Sequence, residues 1–219
     1  HLSPFLKLTY ILKEDWSLKL KGSRTYTPPS LNQIYAQKEP LSSEKIDQFT
    51  FGLEKYTPSS LYGADFFYTR YRETIGWEDE TRLYKMEADQ RDLFGTEWFF
   101  QKKVNPFLKL KGFLNITRGI NAKGETHDIQ GISRSHLGLT TDLKTQKWFW
   151  VNNMKTFRHY KTATKTQNFS LIDTSLGHKL NNRTTLLFKI NNLFNEDYTL
   201  KEGYQTKGRH YFLKASMLF

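Results

Sequence analysis

Along the last ten residues the side chains alternate. Tyr211, Leu213, Ala215, Met217 and Phe219 fall on one face of an extended chain, and His210, Phe212, Lys214, Ser216 and Leu218 on the other. Successive side chains of a strand leave opposite faces, so this period of two specifies a strand with one apolar and one polar face. The pattern is clearest from Phe107 to Arg118, where Leu108, Leu110, Gly112, Leu114 and Ile116 oppose Lys109, Lys111, Phe113, Asn115 and Thr117. A soluble sheet with one wet face alternates in the same way, and period alone leaves both a soluble sheet and a membrane barrel open. No apolar run approaches the ~20 residues of a spanning helix, which excludes a membrane helix. A membrane barrel stays possible, because its strands average out to polar in any hydropathy window. The mean hydropathy of −0.67 and the aromatic content of 16% suit such a chain.

The same reading applied along the sequence gives about eleven strands. Pro4 to Leu12 and Trp16 to Ser23 form a hairpin about Lys13-Glu14-Asp15. Consecutive prolines at 28 and 29 forbid a sheet interior and leave a long loop with a short helical turn at Ser30 to Tyr35. Phe49, Phe51 and Leu53 are the apolar row of the next strand. Leu61 to Ile75 follows and runs out into a charged loop through Glu87. Then come Arg91 to Val104, Phe107 to Arg118, Ser133 to Leu143, Lys147 to Tyr160, Gln167 to Leu180, Arg183 to Phe194 and Arg209 to Phe219, with turns such as Asn105-Pro106, Lys144-Thr145-Gln146 and Asn181-Asn182. Turns of a few residues alternate with loops of roughly seven to twenty, the asymmetry of outer-membrane barrels.

Formal net charge is +11, spread through the sequence, and cysteine is absent, which excludes a disulfide scaffold and a thiolate metal site. A basic, aromatic-rich chain suggests nucleic-acid or anionic-surface binding, but no nucleic-acid motif or basic helix accompanies the charge, so no nucleic-acid partner is expected. The six histidines, at 1, 127, 136, 159, 178 and 210, never fall at a metal-binding spacing. No nucleophile elbow or acid pair stands out, so no enzyme, catalytic residue, metal or cofactor is expected. His136 and His178 read as strand residues, while His127 and His159, in or beside loops, are candidates for axial contact to haem.

Several words of the sequence carry a resemblance. Asn191-Asn192-Leu193-Phe194-Asn195-Glu196-Asp197-Tyr198, followed by Gly203-Tyr204, Gly208-Arg209 and a closing strand ending in Phe219, resembles the end of TonB-dependent outer-membrane receptors. Pro29-Ser30-Leu31 with Tyr35, Glu39-Pro40 leading to Gly52-Leu53-Glu54, Gly95-Thr96-Glu97 and Asp173 resemble further parts of that family. Thr27-Pro28 stands where the family often has Arg-Ala, and Thr50 where it usually has an acidic residue.

The resemblance implies an all-β, antiparallel, up-and-down transmembrane barrel, with about eleven strands seen of a probable twenty-two. Residues 1–219 are then expected to be the C-terminal half of the barrel, with the N-terminal plug and the first half outside the chain. It places the protein in the bacterial outer membrane, in contact with outer-membrane lipid. It further implies energy coupling through the TonB complex via the N-terminal part, and assembly by the barrel-insertion machinery. The closing strand, with Tyr211, Leu213, Met217 and Phe219, is the expected assembly signal. With the C-terminus periplasmic, segments 24–44, 76–88, 119–130, 161–166 and 195–208 become extracellular, and Leu110, Leu114, Leu139, Phe188 and Leu213 face lipid.

The loops then offer Arg24, Tyr26, Tyr35, Trp77, Arg82, His127 and Tyr204 as substrate-binding candidates, and the polar rows carry Lys19, Lys21, Lys109, Lys111, Lys189 and Lys214. A cationic and aromatic set suits an anionic, ring-bearing ligand. Uptake of a ferric siderophore is therefore the expected function. Haem and cobalamin reception are the alternatives within the family, and a soluble basic β-sheet binding module is the alternative outside it.

Overall fold

The computed structural model of the protein describes residues 2–78, 80–87, 91–120, 124–201, 203–204 and 206–218. Its strands are β1 (Phe5–Lys13), β2 (Trp16–Thr27), β3 (Glu44–Thr57), β4 (Ser60–Glu78), β5 (Leu83–Glu87), β6 (Arg91–Lys103), β7 (Leu108–Ile120), β8 (Thr126–His127), β9 (Ser133–Lys144), β10 (Trp148–Lys161), β11 (Thr166–Lys179), β12 (Thr184–Asn191) and β13 (His210–Met217). One short helix, α1 (Leu31–Tyr35), is capped by Ser30 and Gln33, which accept each other's backbone N–H groups. Eleven strands are hydrogen-bonded in the order β1-β2-β3-β4-β6-β7-β9-β10-β11-β12-β13, with β5 on β4 and β8 on β7 off that path. The fold is all-β and antiparallel, and the first and last strands of the path each have one neighbour.

Two compact units divide the chain: His1–Glu54, Asp65–Thr96 and Thr117–His127 form the first, and Lys55–Ala64, Glu97–Ile116 and Asp128–Phe219 the second. In the second unit the registers place one apolar residue beside the next across six strands. Leu108 stands opposite Leu143, Leu143 opposite Trp150, Trp150 opposite Leu176, Leu176 opposite Phe188, and Phe188 opposite Leu213. The neighbouring row on the other face runs Lys109, Asp142, Val151, Ser175, Lys189, Phe212. In the first unit Leu8 stands opposite Leu20 and Tyr10 opposite Leu18 on a comparable row. Alternation in the sequence thus becomes one apolar and one largely polar face.

That apolar face is not covered by the protein. Leu143, Trp150, Leu176, Phe188 and Leu213 are 39 to 78% exposed, and among the described residues only Leu93, Tyr160 and Phe169 are buried apolar side chains. A soluble sheet sandwich would bury this face against a second sheet.

On the polar face, Gly138 and Gly177 stand directly opposite the aromatic rings for which they leave room. Phe113 stands opposite Gly138 and Phe149 opposite Gly177, and a Cβ on either glycine would overlap the ring.

Turns at one end of the strands are closed by their own side chains. Thr57 Oγ1 accepts from the Ser60 N–H, Asn105 Oδ1 from those of Phe107 and Leu108, Thr145 Oγ1 from Trp148, and Asn181 Oδ1 from Arg183 and Thr184.

Four boundaries differ from the sequence reading. β2 continues to Thr27, and its Arg24 N–H donates to the Pro4 carbonyl one step past the β1 register. The charged loop after Ile75 is a hairpin, in which β4 runs to Glu78 and returns as β5. Segment 161–166 is not a long loop: Thr162, 2% exposed, takes the Lys165 N–H on its hydroxyl and closes a turn as tight as those at the other end. β12 stops at Asn191 rather than Phe194, since Asn192 and Asn195 adopt left-handed φ values of 51° and 56°.

Candidate functional site

The loop ends of the first unit carry a network of charge. Glu78, at the tip of β4, receives Lys85 Nζ at 2.5 Å on one oxygen, and Thr81 Oγ1 at 2.7 Å and Lys38 Nζ at 3.1 Å on the other. These partners, Lys85 foremost, hold its carboxyl down at about 2, well below the usual carboxylate range. Backbone bonds add to the clasp: the Tyr84 N–H donates to the Ala36 carbonyl and the Lys38 N–H to the Tyr84 carbonyl. The segment after α1 is thereby fixed to the β4–β5 hairpin.

Two of the expected ligand residues are brought onto adjoining segments by this clasp. Tyr35 ends α1 and is 86% exposed. Arg82 sits exposed in the hairpin turn with φ 54°, its N–H donating to the Glu78 carbonyl. The Trp77 backbone pairs with Tyr84 in the same hairpin, and His127 pairs with Gly119 in the β7–β8 hairpin; both side chains lie outside the described residues.

Arg24 and Tyr26 are placed otherwise. Both lie in strand β2, not in a loop. The Arg24 guanidinium gives Nε to Asp47 Oδ1 at 2.5 Å and Nη2 to Oδ2 at 3.0 Å, and Arg72 Nε reaches the same Oδ2 at 2.6 Å. A second group lies on β4 and β6: Asp92 accepts from Tyr68 Oη at 2.6 Å and from Arg70 Nε and Nη2 at 3.2 Å. Of these residues only Arg24 and Tyr26 are among those singled out from the sequence. The available signal is the run Tyr68-Thr69-Arg70-Tyr71-Arg72, in which positions 68, 70 and 72 continue the outward row of Phe66.

Tyr204 belongs to the second unit, in the segment joining β12 to β13. Its exposed ring has Lys201 Nζ 5.0 Å from the centroid. The base of that segment is tied to β10 and β11. Tyr198 stacks on Phe169 at 4.9 Å, the Gln167 side-chain amide exchanges both its bonds with the Thr199 backbone, and Tyr160 Oη donates to the Leu200 carbonyl at 3.2 Å. His159, the other haem candidate, sits in a bulge of β10 with φ 50°.

In the closing strand, Tyr211, Leu213 and Met217 stand opposite Ile190, Phe188 and Thr184, more than half exposed on the apolar face. Phe219 lies outside the described residues.

The family model described as "TonB dependent receptor-like, beta-barrel" matches residues 1–193. Among solved structures, the chain is similar to the ferric-catecholate import receptor Fiu from E. coli K12, with 17% identity, a TM-score of 0.73, and 96% of this chain and 34% of that one covered. It is similar to the copper transporter OprC, with 14% identity, a TM-score of 0.81, and coverage of 99% and 39%. It is also similar to the siderophore receptor PirA from Pseudomonas aeruginosa, with 17% identity, a TM-score of 0.74, and coverage of 98% and 39%. The chain thus spans 34 to 39% of the length of these proteins.

Proposed function

Because the chain belongs to the TonB-dependent receptor family, a family of transport receptors, we propose that these residues supply strands to the barrel of an outer-membrane receptor that takes up a ferric siderophore. The observation that carries the membrane part is the exposed row from Leu108 to Leu213. An antiparallel ladder apolar on one face is what hydrocarbon accepts where strands are paired on both sides, as those between β1 and β13 on the path are. In this reading residues 1–219 form the C-terminal half of the barrel, and the polar row with Lys109 and Lys189 lines its interior.

Ligand contact is assigned to the loop ends. Tyr35 and Arg82, on the segments joined by the Glu78 clasp, with Trp77, His127 and Tyr204, offer cationic and aromatic groups to an anionic chelate. Arg24, held in strand β2 against Asp47, contributes charge rather than direct contact, and Tyr26 lies in the same strand. Coupling to the TonB complex is assigned to the whole receptor, and recognition by the insertion machinery to the closing strand with Phe219.

The test is equilibrium binding by the intact receptor to ferric catecholates and hydroxamates, haem, cobalamin and Cu(II), with Arg82→Ala and Trp77→Ala alongside. The proposal expects a ferric siderophore to bind and both variants to weaken it by about tenfold, the loss of one good charged or aromatic contact. Selective binding of neutral cobalamin, of Cu(II), or of haem in a manner lost with His127→Ala would replace the siderophore.

A further inference from the structure

The outward rows of the first unit change character at one level. On β4 the row runs Phe66, Tyr68, Arg70, Arg72; on β2 it runs Leu18, Leu20, Gly22, Arg24; on β3 Phe51 and Phe49 give way to Asp47, and on β6 Phe94 gives way to Asp92. The bonds from Arg24 and Arg72 to Asp47, and from Tyr68 and Arg70 to Asp92, show that these positions share one face. The side chains pass from apolar, through an amphipathic tyrosine, to guanidinium. That succession matches the passage from hydrocarbon to headgroups, where tyrosine and arginine are favoured.

The belt is not neutral. Three arginines (24, 70 and 72) face two aspartates (47 and 92), which leaves a formal +1. Arg72 has a side chain 49% exposed, and among the described residues it gives only its Nε, to Asp47. Its two terminal nitrogens remain to donate, in the planar fork that fits a phosphate.

We infer that this belt holds the phosphate headgroup of an anionic lipid in the leaflet next to the loops, with Arg72 as the principal donor and Arg24 and Arg70 held in place by their aspartates. The acyl chains lie along Phe49 and Phe66, which are 51% and 48% exposed directly below the charged positions. The inference rests on the reading that this apolar face meets lipid.

Native mass spectrometry of the intact receptor in detergent tests it, with phosphatidic acid, diacylglycerol of the same acyl chains, and inorganic phosphate as probes. Phosphatidic acid should be retained and diacylglycerol lost. Arg72→Gln should lower retention about fivefold or more, while Arg72→Lys, which keeps the charge, should keep part of it. Equal retention of the two lipids, displacement of phosphatidic acid by millimolar inorganic phosphate, or unchanged retention in Arg72→Gln would overturn the lipid site. Failure of the membrane reading itself would be visible separately, as release of the receptor from cells without detergent.

Discussion

The Asp173 carboxylate, in the middle of β11, accepts the backbone N–H of Asn192 at 2.9 Å, at the point where β12 ends. Asn192 is 4% exposed and left-handed, and its side chain closes the following turn by accepting the Glu196 N–H and donating to the Glu196 carbonyl, both at 2.8 Å. The Leu193 N–H meanwhile donates to the Ile172 carbonyl at 2.7 Å. One asparagine therefore ends a strand, turns the chain and ties it to its neighbour.

Replacing Asn192 by Ala removes two side-chain bonds of about 1 kcal/mol each and leaves a Cβ residue in a left-handed conformation, which costs a further ~1 kcal/mol. A loss of about 2 to 3 kcal/mol is expected in urea unfolding of the folded receptor. Asn192→Asp, which keeps the oxygen acceptor, should lose less. Equal stability of Ala and wild type would contradict this account.

A charge on the apolar face should be costly, and an apolar residue on the other face should not. Leu114 stands opposite Leu137 on the apolar face, and Lys111 opposite Thr140 on the polar one. Leu114→Arg is expected to cost about 2 to 4 kcal/mol if placed near the bilayer centre. Lys111→Leu should fold into vesicles with unchanged yield. Refolding yield, read from the heat-dependent gel shift, distinguishes the two.

At Gly177 an added methyl would meet the Phe149 ring directly across the ladder. Gly177→Ala should destabilise by about 1 to 3 kcal/mol, the usual range for overpacking. Phe149→Ala in the Gly177→Ala background should recover part of that loss. A double-mutant cycle with no coupling would refute the pairing.

The Glu78 clasp should be sensitive to acid. A carboxyl whose folded pKa lies below its unfolded value stabilises the fold above the unfolded value, here 4.5, and loses that contribution as pH falls towards about 2. Hydrogen-exchange protection of the Leu83–Glu87 amides, corrected for intrinsic rate, should therefore be level above about pH 5 and fall below it. Glu78→Gln should flatten this dependence.

Strand existence was legible because alternation survives even where individual residues are polar: Phe107 to Arg118 foretold β7 to within two residues of its observed end, Ile120. Ends were less legible, since they depend on partners distant in sequence. Nothing near Arg24 announces Asp47, and nothing near Ile75 announces that the charged stretch folds back as β5 through Lys85 and Glu78. The Asn-Asn-Leu-Phe-Asn words resembled a family signature, but their period suggested more strand. The left-handed Asn192, anchored by Asp173, is a tertiary fact that no local pattern carries. Of the ligand candidates, Tyr35 and Arg82 proved to lie on joined segments, whereas Arg24 and Tyr26, beside the prolines, looked like loop and are strand.

β4 contains nineteen residues, about twice the 9 to 11 that a tilted strand needs to cross hydrocarbon. The end of that surplus, Thr74 to Glu78, is held in a ladder with β5 and by the Glu78 side chain rather than left as free chain. Ordering a flexible loop costs about 1 to 2 kcal/mol per residue in backbone entropy, a cost that a ligand must otherwise meet on binding. Here folding has met it in advance, so under the proposed uptake function a ligand arriving at Arg82 would find a surface already set, and its affinity should depend on contact chemistry more than on loop closure.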